Sequence, residues 1–136
     1  MTFRVDSALQ LVQAAVRIGS ERQMPIAVVV VDGGGRPLAS ARSQDAGYIN
    51  LTIAERKAVA AVNFKVPTHA VLQMIKEDSL LLGAVTSESS ISILPGGLPI
   101  VVGGVVVGAI GIAGGHYSHD QAVGEEVLKT LGPKGS

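Results

Sequence analysis

Two histidines and an aspartate stand almost together in this chain: His116, His119 and Asp120, directly after the pair Gly114-Gly115. Imidazoles titrate near neutral pH, so either histidine can move a proton. Three residues apart on a helix, the two share a face and can reach one ion. A lone H-x-x-H supplies no third protein ligand, so no metal site is expected. The opposite reading is that all three are solvated first-turn residues, Asp120 being favourable at the positive end of a helix.

Cations form the second set. Arg42 closes a predicted strand, and Lys57 sits among Ala54, Ala58 and Ala61 on the small-residue face of a predicted helix. A lysine facing a sheet needs a partner, because an unpaired buried charge is costly. The two cations can anchor a ligand carboxylate, Arg42 as a two-pronged fork, or Lys57 can pair internally with Asp32, Asp45 or Glu55. Asp32 precedes three glycines and reads as a turn residue bonding its own backbone. Glu55 reads as half of a capping box with Thr52, or as a general base. His69 reads as a surface residue near a helix start, and Met24 and Met74 as core filler. No serine lies in a nucleophile elbow.

These residues need elements to hold them. Asp6 or Ser7 can cap a first helix, with Leu9, Val12, Val16 and Gly19 on one face, ending near Gln23 before Pro25. A β-branched run at 26–31 reads as a buried strand, and 37–42 returns as its hairpin partner after Asp32-Gly33-Gly34-Gly35. A helix follows over 53–63, capped through Thr52 or Asn50. A short one starts at Thr68 and runs to about Glu77, and 78–90 reads as irregular. Three strands at 90–94, 99–102 and 105–112 form a meander joined by glycine pairs. A last helix, entered through Ser118 and Gln121, ends near Leu131 before Gly132-Pro133. The order αββααβββα with hairpin-length links predicts an α+β fold: a mainly antiparallel, five-stranded sheet flanked by helices. The strand-to-helix turn at Gly114-Gly115 places backbone amides and Gly97, Tyr117 and Asp120 around one candidate pocket.

Composition narrows the function classes. At 136 residues the chain reads as one domain over 1–132, with a disordered tail at 133–136. No cysteine is present, which excludes disulfides and thiolate chemistry. Net charge is zero, so no global field draws nucleic acid or an anionic membrane. No run reaches the ~20 apolar residues of a membrane span. The opening Met-Thr-Phe-Arg-Val-Asp has no apolar h-region, which predicts a cytoplasmic protein. Charged residues are only 16% of the chain against 47% hydrophobic. A small monomer with so few charges leaves apolar patches bare, so a homo-oligomer is expected.

Four segments carry a resemblance: AVVVVDGGGRPLASAR (27–42), AERKAVAAVNFKVPT (54–68), PGGLPI (95–100) and VVVGAIGIAGG (105–115), followed by the Asp120 helix. In order and spacing the chain resembles the GlcG/HbpS-like family of haem-degrading or haem-binding domains, found also as the C-terminal domain of PduO-type proteins. The resemblance spans nearly the whole chain. It implies a profilin-like fold, oligomeric assembly and haem or a related tetrapyrrole as cofactor, and a lysine is usual at the position of Lys57. No histidine occurs among residues 1–68. If a tetrapyrrole binds, His116 or His119 is the expected axial ligand, with His69 the only other histidine available and Arg42 or Lys57 holding a propionate. The expected function is therefore small-molecule binding. The alternative is a cofactor-independent enzyme acting on a small carboxylate: Arg42 and Lys57 anchor it, the Gly114-Gly115 amides hold an oxyanion, and His116 or Glu55 moves the proton. A third reading is an accessory protein of a catabolic pathway.

Overall fold

The computed structural model describes residues 3–131. Its elements are α1 (Val5–Glu21), β1 (Ala27–Asp32), β2 (Pro37–Arg42), α2 (Ile49–Phe64), α3 (Thr68–Ile75), α4 (Ser79–Thr86), β3 (Gly97–Val102), β4 (Val105–Ala113) and α5 (Tyr117–Lys129). The four strands form one antiparallel sheet in the order β2-β1-β4-β3.

Helices cover both faces of this sheet, which explains the unbroken apolar run of β1. Successive side chains of a strand point to opposite faces. Val28 and Val30 pack with Leu11, Ala15 and Ile18 of α1 and with Val123 and Val127 of α5. Ala27, Val29 and Val31 pack with Ala54, Ala58 and Ala61 of α2. The small-residue face of α2 allows a close approach: at Gly111 of β4, an added Cβ would lie 1.8 Å from the Ala54 carbonyl oxygen. Asp32 closes the β1–β2 turn as expected, its Oδ1 accepting from the amides of Gly34 and Arg36.

The sheet has four strands, not five, and the observed order is αββαααββα. Residues 90–94 do not join the sheet. Ser92 N donates to Arg56 O of α2 (3.1 Å), and Ile93 packs with Ala60, Val71 and Ile75 beside α3. The alternation of that segment therefore serves a satellite core. The stretch read as irregular contains α4, capped by Asp78, whose side chain accepts from Leu81 N. With leucines on every side, α4 has no apolar stripe to signal it, and none of its residues is buried.

Helix starts also differ. Asp6 and Ser7 lie inside α1, which starts at Val5, and Leu9 faces outward. Thr52, Glu55 and Asn50 all lie inside α2, so that capping box does not form. Ser118 and Gln121 do not form one either: the N-cap of α5 is His116. Met74 is exposed, and Met24 only half-buried. Residues 133–136 fall outside the described residues. No helix among the described residues is long and apolar enough to cross a membrane.

Candidate functional site

The site begins with a buried ion pair. Lys57 comes from α2 on one face of the sheet and Asp120 from α5 on the other, and their Nζ and Oδ2 atoms are 3.0 Å apart. Both side chains are almost sealed from solvent, at 2% and 3% exposed. Lys57 Nζ also donates to Ile112 O (2.8 Å), and Asp120 Oδ1 accepts from Gly115 N (3.1 Å). Gly96 makes room for the contact. Its φ is +128°, and a Cβ there would lie 2.7 Å from Ile112 O and 2.9 Å from Lys57 Nζ. Burial outweighs the mutual attraction in both partners. It pushes the Lys57 amine below its ordinary pKa and the Asp120 carboxyl above its own, against the opposing pull of Lys57 and the Gly115 amide.

This pair holds the turn above it. Asp120 ties down the Gly115 amide and follows His116 by four residues, its own N–H bonding His116 O. Gly114 has φ +118°, and a Cβ there would press on the Pro25 carbonyl. Strand β4 thus turns sharply into α5. The turn lifts Gly115, His116, Tyr117 and His119 to the surface. His116 caps the helix: its Nδ1 accepts from Ser118 N (3.2 Å) and lies 2.8 Å from Ser118 Oγ. The Tyr117 ring packs on it at 4.0 Å between centroids, and the His119 ring meets it edge-on at 6.1 Å. Gly115 is exposed, but the Met24 methyl crowds the place a side chain would take. A Cβ there would find Met24 Cε at 2.9 Å and His119 Cβ at 4.0 Å. Met24 continues into a cleft of about 760 Å³ between the end of α1 and the end of β2, lined also by Val16, Gln23, Ile26 and Arg42.

The candidate residues therefore divide. His116, Tyr117, His119 and Gly115 share one surface. Asp120 and Lys57 lie beneath it as structure, so Lys57 is no ligand anchor; its partner is Asp120 rather than Asp32, Asp45 or Glu55. The Gly115 amide is spent on Asp120 and cannot stabilise an oxyanion. Gly97 is buried packing: its N–H donates to Thr68 Oγ1 (3.0 Å), and a Cβ would strike Lys57 O. Arg42 shares a register row with Ala27 and Ala113, two strands and so about 10 Å from the turn. Its guanidinium ties the following loop by donating to Ala46 O. Glu55 faces a separate small cleft with Thr52 and Ser40. His69 follows Thr68 on α3, its Nδ1 buried and without a hydrogen-bond partner among the described residues. No group of three or more His, Asp or Glu side chains among the described residues could hold a metal ion.

Met24 escaped the sequence reading because only the fold carries it from the end of α1 to Gly115. The Lys57–Asp120 partnership did leave a trace. Asp120 falls in step with Val123, Gly124 and Val127 on the buried stripe of α5, as Lys57 does with Ala54, Ala58 and Ala61 on α2.

Fold and site together define a sheet protein with a cross-layer ion pair beneath an exposed histidine turn. The chain belongs to the HbpS-like family: the model for "haem degrading protein HbpS-like" matches residues 3–129. Among curated relatives, an uncharacterized 15.0 kDa protein from the dhaT-dhaS intergenic region of Citrobacter freundii is 31% identical over 128 residues, which cover 93% of this chain and 90% of that protein. The corrinoid adenosyltransferase PduO of the same organism is 28% identical over 96% of this chain, but the match spans only 39% of the enzyme's length. Among solved structures, a double mutant of HbpS from Streptomyces reticuli matches with a TM-score of 0.88 and 26% identity, over 97% of this chain and 88% of that one. The PduOC:heme complex shares the fold at a TM-score of 0.88 and 24% identity, over 97% and 96%.

Proposed function

We propose that this protein binds a tetrapyrrole, haem in the first instance, at the surface formed by Gly115, Tyr117, His119 and Met24. The observation that carries the reading is the exposed turn at Gly115, beside which the side chains of Met24 and His119 both stand. The donor chemistry fits: haem iron, when bound, takes imidazole or thioether ligands. Tyr117 offers an aromatic face, and the cleft beyond Met24, lined by Val16, Ile26 and Arg42, has room for the substituents of a ring. Membership of a family described as haem-degrading, and the fold shared with a protein solved as a haem complex, support the same ligand class. Lys57 takes no part in contacting it, and any propionate partner has to come from an exposed cation.

The enzyme alternative loses support, because its parts do not converge. Lys57 is buried, the Gly115 amide is occupied, and Glu55 lies in another cleft.

The working form is proposed to be a cytoplasmic, single-domain homo-oligomer. Leu80 is 84% exposed, Tyr48 77% and Met74 67%, which is much apolar surface for a chain with so few charges.

The test is a haemin titration of the purified apo-protein, followed at the Soret band. A saturable change at one haemin per chain supports the reading. No saturable change removes it.

A further inference from the structure

The two exposed histidines are not equivalent, and the difference lies in where their protons sit. A backbone N–H can only donate. Ser118 N donates to His116 Nδ1, so that nitrogen carries a lone pair and no proton. In the neutral ring the proton is then on Nε2. The Ser118 hydroxyl, 2.8 Å from the same Nδ1, can donate to it as well. For His116 Nε2 to bind a metal, the proton must move to Nδ1. There it would meet the Ser118 amide head-on and undo the cap of α5. The tautomer of a metal-bound imidazole is set by what its other nitrogen bonds, and here that bond selects the wrong one.

His119 carries no such constraint. Its ring is exposed, and no hydrogen bond to either ring nitrogen is formed among the described residues. Its Cβ lies 4.0 Å from where a side chain at Gly115 would begin, near the Met24 methyl. His69 stands apart on α3, beside the Thr68–Gly97 contact, with Nδ1 shut off from solvent.

We infer that His119 is the imidazole that coordinates iron in this chain, and that His116 is held as the Nε2–H tautomer by its cap and is not an iron ligand. The inference rests on the tetrapyrrole reading and assigns its ligand.

The experiment is a haemin titration of the wild type, His119→Ala, His116→Asn and His69→Ala, with Soret and visible spectra for the ligand field and thermal melts of the apo-proteins. His116→Asn keeps a side-chain acceptor at the cap. The nitrogen-ligand spectrum is expected in the wild type, His116→Asn and His69→Ala. It should be lost in His119→Ala, with haemin affinity down at least about tenfold and the apo melting temperature within about 2 °C of wild type, as for an exposed side chain. Loss of that spectrum in His116→Asn or His69→Ala, with retention in His119→Ala, overturns the assignment while leaving tetrapyrrole binding intact. A wild type with no saturable change removes both. The tautomer is read without any ligand: imidazole ¹⁵N shifts of the apo-protein should show His116 protonated on Nε2. A proton on Nδ1 overturns the argument at its root.

Discussion

Lys57 and Asp120 meet at 3.0 Å although their helices lie on opposite faces of the sheet. The contact sits beside the start of edge strand β3, where Gly96 has no side chain to block it. One hydrogen-bonded pair thus joins the two helical layers and, through the Gly115 amide, fixes the turn that displays the histidines.

Breaking the pair from one side should be far more harmful than replacing both partners. Lys57→Met or Asp120→Leu strips the remaining partner of its hydrogen bond in a sealed site, and each should cost about 1–3 kcal/mol in urea unfolding. The double variant Lys57→Met/Asp120→Leu should fall within about 1 kcal/mol of wild type or exceed it. Additive losses in the double variant would show that the two residues are energetically independent.

The pair also predicts an unusual pH profile. The Asp120 carboxyl lies above its ordinary pKa in the folded state, so the folded protein binds its proton first, and this contribution to stability grows as pH falls toward about 4. The Lys57 amine lies below its ordinary pKa, so the folded protein releases its proton first, and this contribution grows as pH rises toward about 10. The stability of wild type minus that of the double variant should therefore be lowest near neutrality and rise toward both ends. Urea midpoints at a series of pH values would show it; a maximum near neutrality would mean that attraction outweighs burial.

Gly96 and Gly103 both have positive φ, but only one is hemmed in. Gly96→Ala adds a Cβ against Ile112 O and Lys57 Nζ on top of the backbone strain, and should cost at least about 2 kcal/mol. Gly103 lies in the tight β3–β4 turn with nothing within 4 Å of an added Cβ. Gly103→Ala should cost only the left-handed backbone term, about 1–2 kcal/mol, and Gly103→Asn less, because asparagine tolerates that conformation. Equal losses for Gly96→Ala and Gly103→Asn would remove the steric role given to Gly96.

Assembly is open to direct measurement. Sedimentation equilibrium at micromolar concentration should give more than one chain per particle. A monomer would mean that the exposed leucines of α4 stay in water, and the composition argument would fail.

Much of the architecture was legible along the chain. The β-branched run of β1, the Asp32 turn, the glycine pair before β4 and the alanine face of α2 each announce themselves through local geometry, because strand alternation, turn preference and close packing depend on neighbours in sequence. Residues 90–94 and α4 were misread for the same reason. An apolar alternation does not say which core it fills, and a helix with leucines all round has no stripe to reveal it.

The candidate site divides along the same line. Sequence alone determined that His116, His119 and the glycine turn would lie together, since they are neighbours in the chain. It also placed Lys57 on the small-residue face of its helix, while Asp120 read as a pocket or first-turn residue and its burial came only with the structure. Only the tertiary structure decided that these two charges face one another, that Met24 closes on Gly115, that Arg42 lines the cleft beyond Met24, and that Glu55 stands elsewhere. Those relations join residues dozens of positions apart, and they depend on which helix covers which face of the sheet. That choice is made by packing the whole core at once, and no local pattern records it.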